Sequence, residues 1–161
     1  MNPFGSSRGL TTGRIRMLLR RLTKTRDFSL LRKAIERCSG IEAVLDLPCG
    51  TGQFLPLFET LNLDRLIAAD MSLAMLQVAE SNKPQVRQFD CLHTDPLAIN
   101  LPDNTVDLVN CQYFFHYLSD PEDRAQALNE IHRVTKSYAL ISVWVNGNLQ
   151  SWWRKSESAH T

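Results

Sequence analysis

The stretch VLDLPCGTGQF, Val44 to Phe54, decides how the rest of the chain is read. Val44 and Leu45 favour a buried strand. Asp46 interrupts the apolar run. Gly50 and Gly52 follow at a spacing that lets the backbone turn tightly and pass close to a ligand. The helical pattern GQFLPLFETL comes next. A strand, a glycine loop and a helix in that order form the first ligand-facing turn of an open α/β sheet. A Gly-x-Gly pair by itself is equally a plain structural turn, so the neighbouring segments must carry the argument.

Upstream, DFSLLRKAIERCSG reads as a helix. Asp27 or Ser29 caps it, Leu30, Leu31, Ala34 and Ile35 recur at helical spacing, and Gly40 stops it. IEAVLDL is the first strand. Downstream, RLIAAD is a strand and SLAMLQVAESN a helix capped by Ser72. QVRQFD is a short strand, HTDPLAINLPDNT a loop and VDLVNCQYFF a strand. DPEDRAQALNEIHRVTK is a helix with Asp120 as cap and Pro121 at its first position. SYALISVWV is the fifth strand, NGN a turn, and LQSWWRKSES the start of another helix. Strands alternating with helices predict an α/β fold with a doubly wound parallel sheet. Strands apolar along their whole length fit a sheet covered on both faces.

Ligands of such sheets sit at the carboxyl ends of the strands. Asp46 lies at the end of the first, Asp70 at the end of the second, 18 residues beyond Gly52, and Asp95 follows the third. The three carboxylates converge on one crevice. An acid at the distance of Asp70 suits the two ribose hydroxyls of a nucleoside. A dinucleotide oxidoreductase would want a third glycine or alanine, where this chain has Leu55, and Asp46 would repel the pyrophosphate. A cationic, phosphate-free nucleoside fits better, and S-adenosylmethionine is one.

The 161 residues suit one domain, and the 43% hydrophobic and 22% charged fractions are those of an ordinary globular protein. No apolar run reaches the ~18–20 residues of a membrane span. Cys38, Cys49, Cys91 and Cys111 form no CxxC and no zinc-site spacing, and no metal site is read. With no apolar secretory leader, free thiols in the cytoplasm are the plain reading.

Net charge is +1, unevenly spread: residues 1–40 carry ten Lys/Arg against two acids, the remainder eight against fifteen. Ile15, Leu18, Leu19 and Leu22 put an apolar stripe on the basic segment Arg14–Arg26. Residues 1–28 are read as a basic segment with an amphipathic helix, and 29–161 as the cofactor domain. The basic helix admits three readings: a packing helix or lid, a surface for an anionic membrane or substrate, or an organelle import signal.

The motifs VLDLPCGTGQF, IAADMSLAML, DPLAINLPDNTVDLVNCQYFFHYL, EIHRVTK and ALISVWV occur in order over about residues 30–150. Together they resemble a class I S-adenosylmethionine-dependent methyltransferase with a Rossmann-like fold. The resemblance is closest to the small-molecule group that includes the quinone-biosynthesis enzymes. That family carries acid-x-Gly-x-Gly-x-Gly at the loop, and Pro48 stands in place of the first glycine. The resemblance implies that Asp46, Pro48, Cys49, Gly50 and Gly52 line the methionine side of the cofactor. Asp70 would bind the ribose, Met71 would pack on the adenine, and Asp95 would accept from the adenine amino group. Cys111 and Gln112 would flank the methyl-bearing sulfur, the two cysteines serving as small residues and not as nucleophiles.

Methyl transfer is an in-line displacement that depends mainly on alignment. A general base is optional, and His116, beside Tyr117, is the candidate ahead of His93 and Tyr113. The chain lacks the motifs that methylate nucleic-acid bases or protein arginine, so no nucleic-acid partner is expected. A small-molecule acceptor remains, anionic or lipid-linked if the basic helix takes part.

The family sheet has seven strands ordered 3-2-1-4-5-7-6. Five in order 3-2-1-4-5 are expected here, without the strand 6–7 hairpin, so the domain reads as truncated at its C-terminus. An open edge beside Trp152 and Trp153 would invite a homodimer or a covering partner. The alternatives to an active enzyme are an inactive cofactor-binding domain and a membrane-surface interaction protein.

Overall fold

A computed structural model describes residues 26–143. They fall into two compact units, one ending at Ser39 and the other beginning at Gly40. In the first, α1 (residues 26–35) buries Leu31 and Ile35. Asp27 and Ser29 lie within the described residues of this helix. The helix ends at residue 35, ahead of Gly40, in a turn closed by the Arg37 and Cys38 N–H groups on the Ala34 and Ile35 carbonyls.

The second unit is a five-stranded sheet: β1 (Ala43–Asp46), β2 (Arg65–Asp70), β3 (Gln88–His93), β4 (Val106–Cys111) and β5 (Thr135–Ile141). The order is β3-β2-β1-β4-β5 and every pairing is parallel, as the alternation of elements requires. The connections carry α2 (Leu55–Phe58), α3 (Leu73–Ser81) and α4 (Pro121–Val134). Ser72 caps α3 and Asp120 caps α4, both as the sequence predicts. The helix after the glycine loop is a single turn, with Pro56 in its first positions.

Register decides which side chains share a face. Asp46 pairs with Ala68 on β2 and with Asn110 on β4. With a side-chain period of two, Val44, Asp46, Leu66, Ala68, Asp70, Leu108 and Asn110 lie on one face. Leu45, Ile67, Ala69, Val109 and Cys111 lie on the other, packed with Ala127, Ile131 and Val134 of α4. Both faces of the three central strands are buried.

The expectation of strands buried throughout fails at the edges. β3 and β5 alternate between exposed and partly buried positions, because an outer strand has a neighbour on one side alone among the described residues. Three boundaries also move. β3 runs on through Cys91, Leu92 and His93, which pair with β2 as far as Asp70 opposite His93. β4 stops at Cys111, since the chain turns at Tyr113 with φ 59°. β5 starts at Thr135, directly after α4.

The sheet matches the expected order 3-2-1-4-5. Residues 14–25 of the basic segment, the Trp152–Trp153 region and the expected absence of strands six and seven fall outside the described residues. No described helix is long and apolar enough to cross a membrane.

Candidate active site

Asp46 ends β1 fully buried. Its Oδ1 accepts from Asn110 Nδ2 at 2.6 Å. Its Oδ2 is the one buried side-chain oxygen or nitrogen among the described residues with no partner. Burial pushes its carboxyl up to about 7, against the pull of the Asn110 hydrogen bond and with a small push from Asp70. A buried acceptor without a donor is costly in a folded chain. A donor arriving from outside would satisfy it, and a cationic one would also restore the carboxylate's charge.

The glycine loop is held by its own chain. The N–H groups of Leu47, Cys49 and Gly52 donate to the carbonyls of Asn110, Ala69 and Cys49. The Gly50 N–H donates to Asp70 Oδ2 at 2.9 Å, and the Ser72 N–H donates to Asp70 Oδ1 at 2.9 Å. Pro48, joined to Leu47 through a cis bond, has no N–H to give. A pyrophosphate would need these donors, and they are committed. That agrees with a nucleoside ligand free of phosphate.

The two glycines differ in purpose. Both have positive φ, 55° at Gly50 and 83° at Gly52. A Cβ on Gly52 would fall 2.5 Å from Leu55 Cδ1, so this glycine lets the loop pack on α2. A Cβ on Gly50 would meet nothing within 4 Å, so this one leaves space beside the loop.

Cys49 and Cys111 are buried, and burial together with the Asp46 charge raises both thiols, Cys111 to about 12. Both stay protonated and poorly nucleophilic. Gln112 Nε2 donates to Asn110 Oδ1 at 2.9 Å and to the Leu140 carbonyl at 3.0 Å. Asp46, the loop, Asp70, Asn110 and Gln112 thus form one bonded group across the ends of β1, β2 and β4.

The remaining predicted residues lie past the ends of β2, β3 and β4. Met71 follows Asp70, is 57% exposed, and its carbonyl lies 2.9 Å from His93 Nε2. Asp95 is exposed, and its Oδ1 accepts from the Leu97 N–H within its own turn. Tyr113 donates its N–H to Ser142 Oγ at 2.7 Å and stacks on Phe54 at 6.3 Å between centroids. His116 is half-buried, with its ring centroid 4.0 Å from that of Tyr117.

Sequence reasoning passed over Asn110 and Phe54. Asn110 left a signal, a polar residue inside an apolar strand. Phe54 left none, because it reads as an ordinary core residue.

An open sheet ordered 3-2-1-4-5, with a carboxylate and glycine loop after β1 and an acid at the end of β2, defines the Rossmann-like, class I methyltransferase type of nucleoside-cofactor domain. The comparisons with known proteins agree. A family model described as "Methyltransferase domain" matches residues 45–143, and the chain belongs to that family. It is 38% identical over 102 residues to an uncharacterized methyltransferase-like protein of Schizosaccharomyces pombe, covering 63% of this chain and 37% of that one. It is 34% identical over 120 residues to the ubiquinone/menaquinone biosynthesis C-methyltransferase of Hydrogenovibrio crunogenus, covering 70% and 46%. The crystal structure of a SAM-dependent methyltransferase from Archaeoglobus fulgidus superposes with a TM-score of 0.65 at 27% identity, over 81% of this chain and 57% of that one. The chain spans less than half the length of these two curated relatives. S-adenosylmethionine is the cofactor of this class. The orphaned Asp46 oxygen and the space at Gly50 fit its ammonium end and its bulk.

Proposed function

We propose that this chain binds S-adenosylmethionine across the ends of β1, β2 and β4 and directs its methyl group to a small-molecule acceptor. The observation that carries the reading is Asp46 Oδ2, buried and without a donor. When bound, the cofactor supplies an electrophilic methyl group on a sulfonium leaving group. The protein's part is to bind, orient and exclude competitors. Asp46 takes the ammonium, with Pro48, Cys49, Gly50 and Gly52 lining that side. Asp70, held between the Gly50 and Ser72 N–H groups, offers its remaining lone pairs to the ribose. Met71 covers the adenine and Asp95 accepts from its amino group. Cys111 and Gln112 flank the sulfur, and both buried thiols remain protonated and do not compete for the methyl.

The acceptor we infer is flat and unsaturated. The Hydrogenovibrio relative is named for C-methylation in quinone biosynthesis, which is in keeping with such an acceptor. His116, past the end of β4, is the base where the acceptor needs one. The four free thiols support a cytoplasmic location. A second, alternative reading is cofactor binding without turnover.

Calorimetric titration of S-adenosylmethionine into the purified chain, beside Asp70→Ala, tests the proposal. We expect micromolar binding that the substitution abolishes. A folded wild type that gives no binding heat overturns the reading. Binding without methylation across a screen of flat acceptors selects the second reading.

A further inference from the structure

This inference rests on the reading that Asp46 meets the ammonium end of the cofactor. Asn110 is fully buried in β4 between Val109 and Cys111, where packing alone asks for an apolar side chain. An amide there brings two N–H donors and an acceptor that must all be satisfied. Its acceptor takes the Gln112 Nε2 proton at 2.9 Å, and Gln112 Nε2 is also anchored on the Leu140 carbonyl at 3.0 Å. Those two acceptors fix the face that Gln112 presents. Asn110 must then turn its Nδ2 to Asp46 Oδ1, at 2.6 Å. From Gln112 the donated bonds run two ways, to the Leu140 carbonyl on β5 and through Asn110 on β4 to Asp46 on β1. Because Oδ1 already accepts a proton from Asn110, a proton carried by Asp46 itself sits on Oδ2, the atom left for the ligand.

We propose that Asn110, locked in orientation by Gln112, is a positioning residue that reserves Asp46 Oδ2 for the cofactor's ammonium, so that the ammonium and a proton compete for this one oxygen.

Of the titratable groups around Asp46, Asp70 at the end of β2 acts on its carboxyl, while the Asp46 charge in turn raises the thiols of Cys49 in the glycine loop and Cys111 at the end of β4. Burial opposes ionisation of Asp46 most, the Asn110 bond favours it, and Asp70 adds the opposing charge, since both thiols are uncharged through the neutral range. The competition therefore falls near neutral pH.

The test titrates two probes into the full chain from about pH 5.5 to 9. One is S-adenosylmethionine. The other is 5′-methylthioadenosine, which keeps the nucleoside and sulfur but has no ammonium. Wild type should bind S-adenosylmethionine more tightly by roughly tenfold as Oδ2 loses its proton, and more weakly again near the ammonium's own pKa of about 8. Its affinity for methylthioadenosine should not follow that curve. In Asn110→Val the acid limb should move up by about one pH unit, with roughly tenfold weaker S-adenosylmethionine binding at neutral pH. Methylthioadenosine should be unaffected. Asn110→Ala, which removes the same bond without adding bulk, should act in the same direction, and it decides the matter if Asn110→Val does not fold.

A loss of affinity equal at every pH, or equal for both probes, makes Asn110 a packing residue and overturns the proposal. Wild-type affinity for S-adenosylmethionine that ignores pH below neutrality does the same. Failure of a folded wild type to bind either probe overturns the cofactor reading itself.

Discussion

A carboxyl kept in a buried site must be compensated by a ligand or tolerated at a cost. For Asp46 the cost is visible in pH. Its folded pKa is raised to about 7 from an ordinary 3.8. Below pH 4 both folded and unfolded chains hold the proton. As pH rises through the folded pKa that stability is lost, and above pH 7 the penalty is complete. Asp46→Asn keeps the acceptor for Asn110 and removes the charge. It should raise ligand-free stability at pH 8 by on the order of 2–4 kcal/mol, with the gain vanishing towards pH 4. Denaturant melts at the two pH values measure this, and the same variant should lose cofactor binding. The glycines make a paired prediction. Gly52→Ala places a methyl against Leu55 in a left-handed backbone and should destabilise by roughly 2–3 kcal/mol. Gly50→Ala has open space, so thermal melts should show only the backbone cost of about 1 kcal/mol, while cofactor affinity falls. Asp46 and the glycines were legible because strand, acid and loop are adjacent in the chain, and Asp70 because it closes the next strand. Asn110 was not, because its meaning comes from a partner 64 positions away.

At the scale of elements, α4 does more than cover the sheet. Arg133 donates to the Ile99 and Leu101 carbonyls and to Asp103 and Glu130, while Glu130 accepts from the Ile99 N–H. The Glu130 carboxyl is held below its usual range by Arg133. This clamp pins the connection between β3 and β4 that carries Asp95. Arg133→Met should cost on the order of 2 kcal/mol, since two part-buried carbonyls lose their donor. Protease cleavage between residues 95 and 104 should accelerate with it. Helix caps at Ser72 and Asp120 were readable from local chemistry. Strand ends were not, because β3 is prolonged by pairing with β2 and β4 is ended by the turn at Tyr113. Neither influence is written in the hydrophobic pattern.

Over the sheet as a whole, the parallel direction followed from the alternation of elements, and the order 3-2-1-4-5 from the resemblance to the methyltransferase family. The difference between central and outer strands did not, because an apolar run carries no label for its neighbours. Burial now ranks the strands. Amide hydrogen exchange should be slowest at Leu45, Ile67 and Val109, which are almost fully buried, and faster along β3 and β5. Equal protection across all five would contradict that ranking.

Asp70 joins the loop after β1 to the turn after β2 through two backbone N–H groups, so the shape of the pocket floor exists before any ligand arrives. Nothing there has to be ordered at the moment of encounter. Association in a stopped-flow experiment should accordingly be a single exponential whose rate climbs linearly with ligand concentration, and a plateau would reveal a closing step elsewhere.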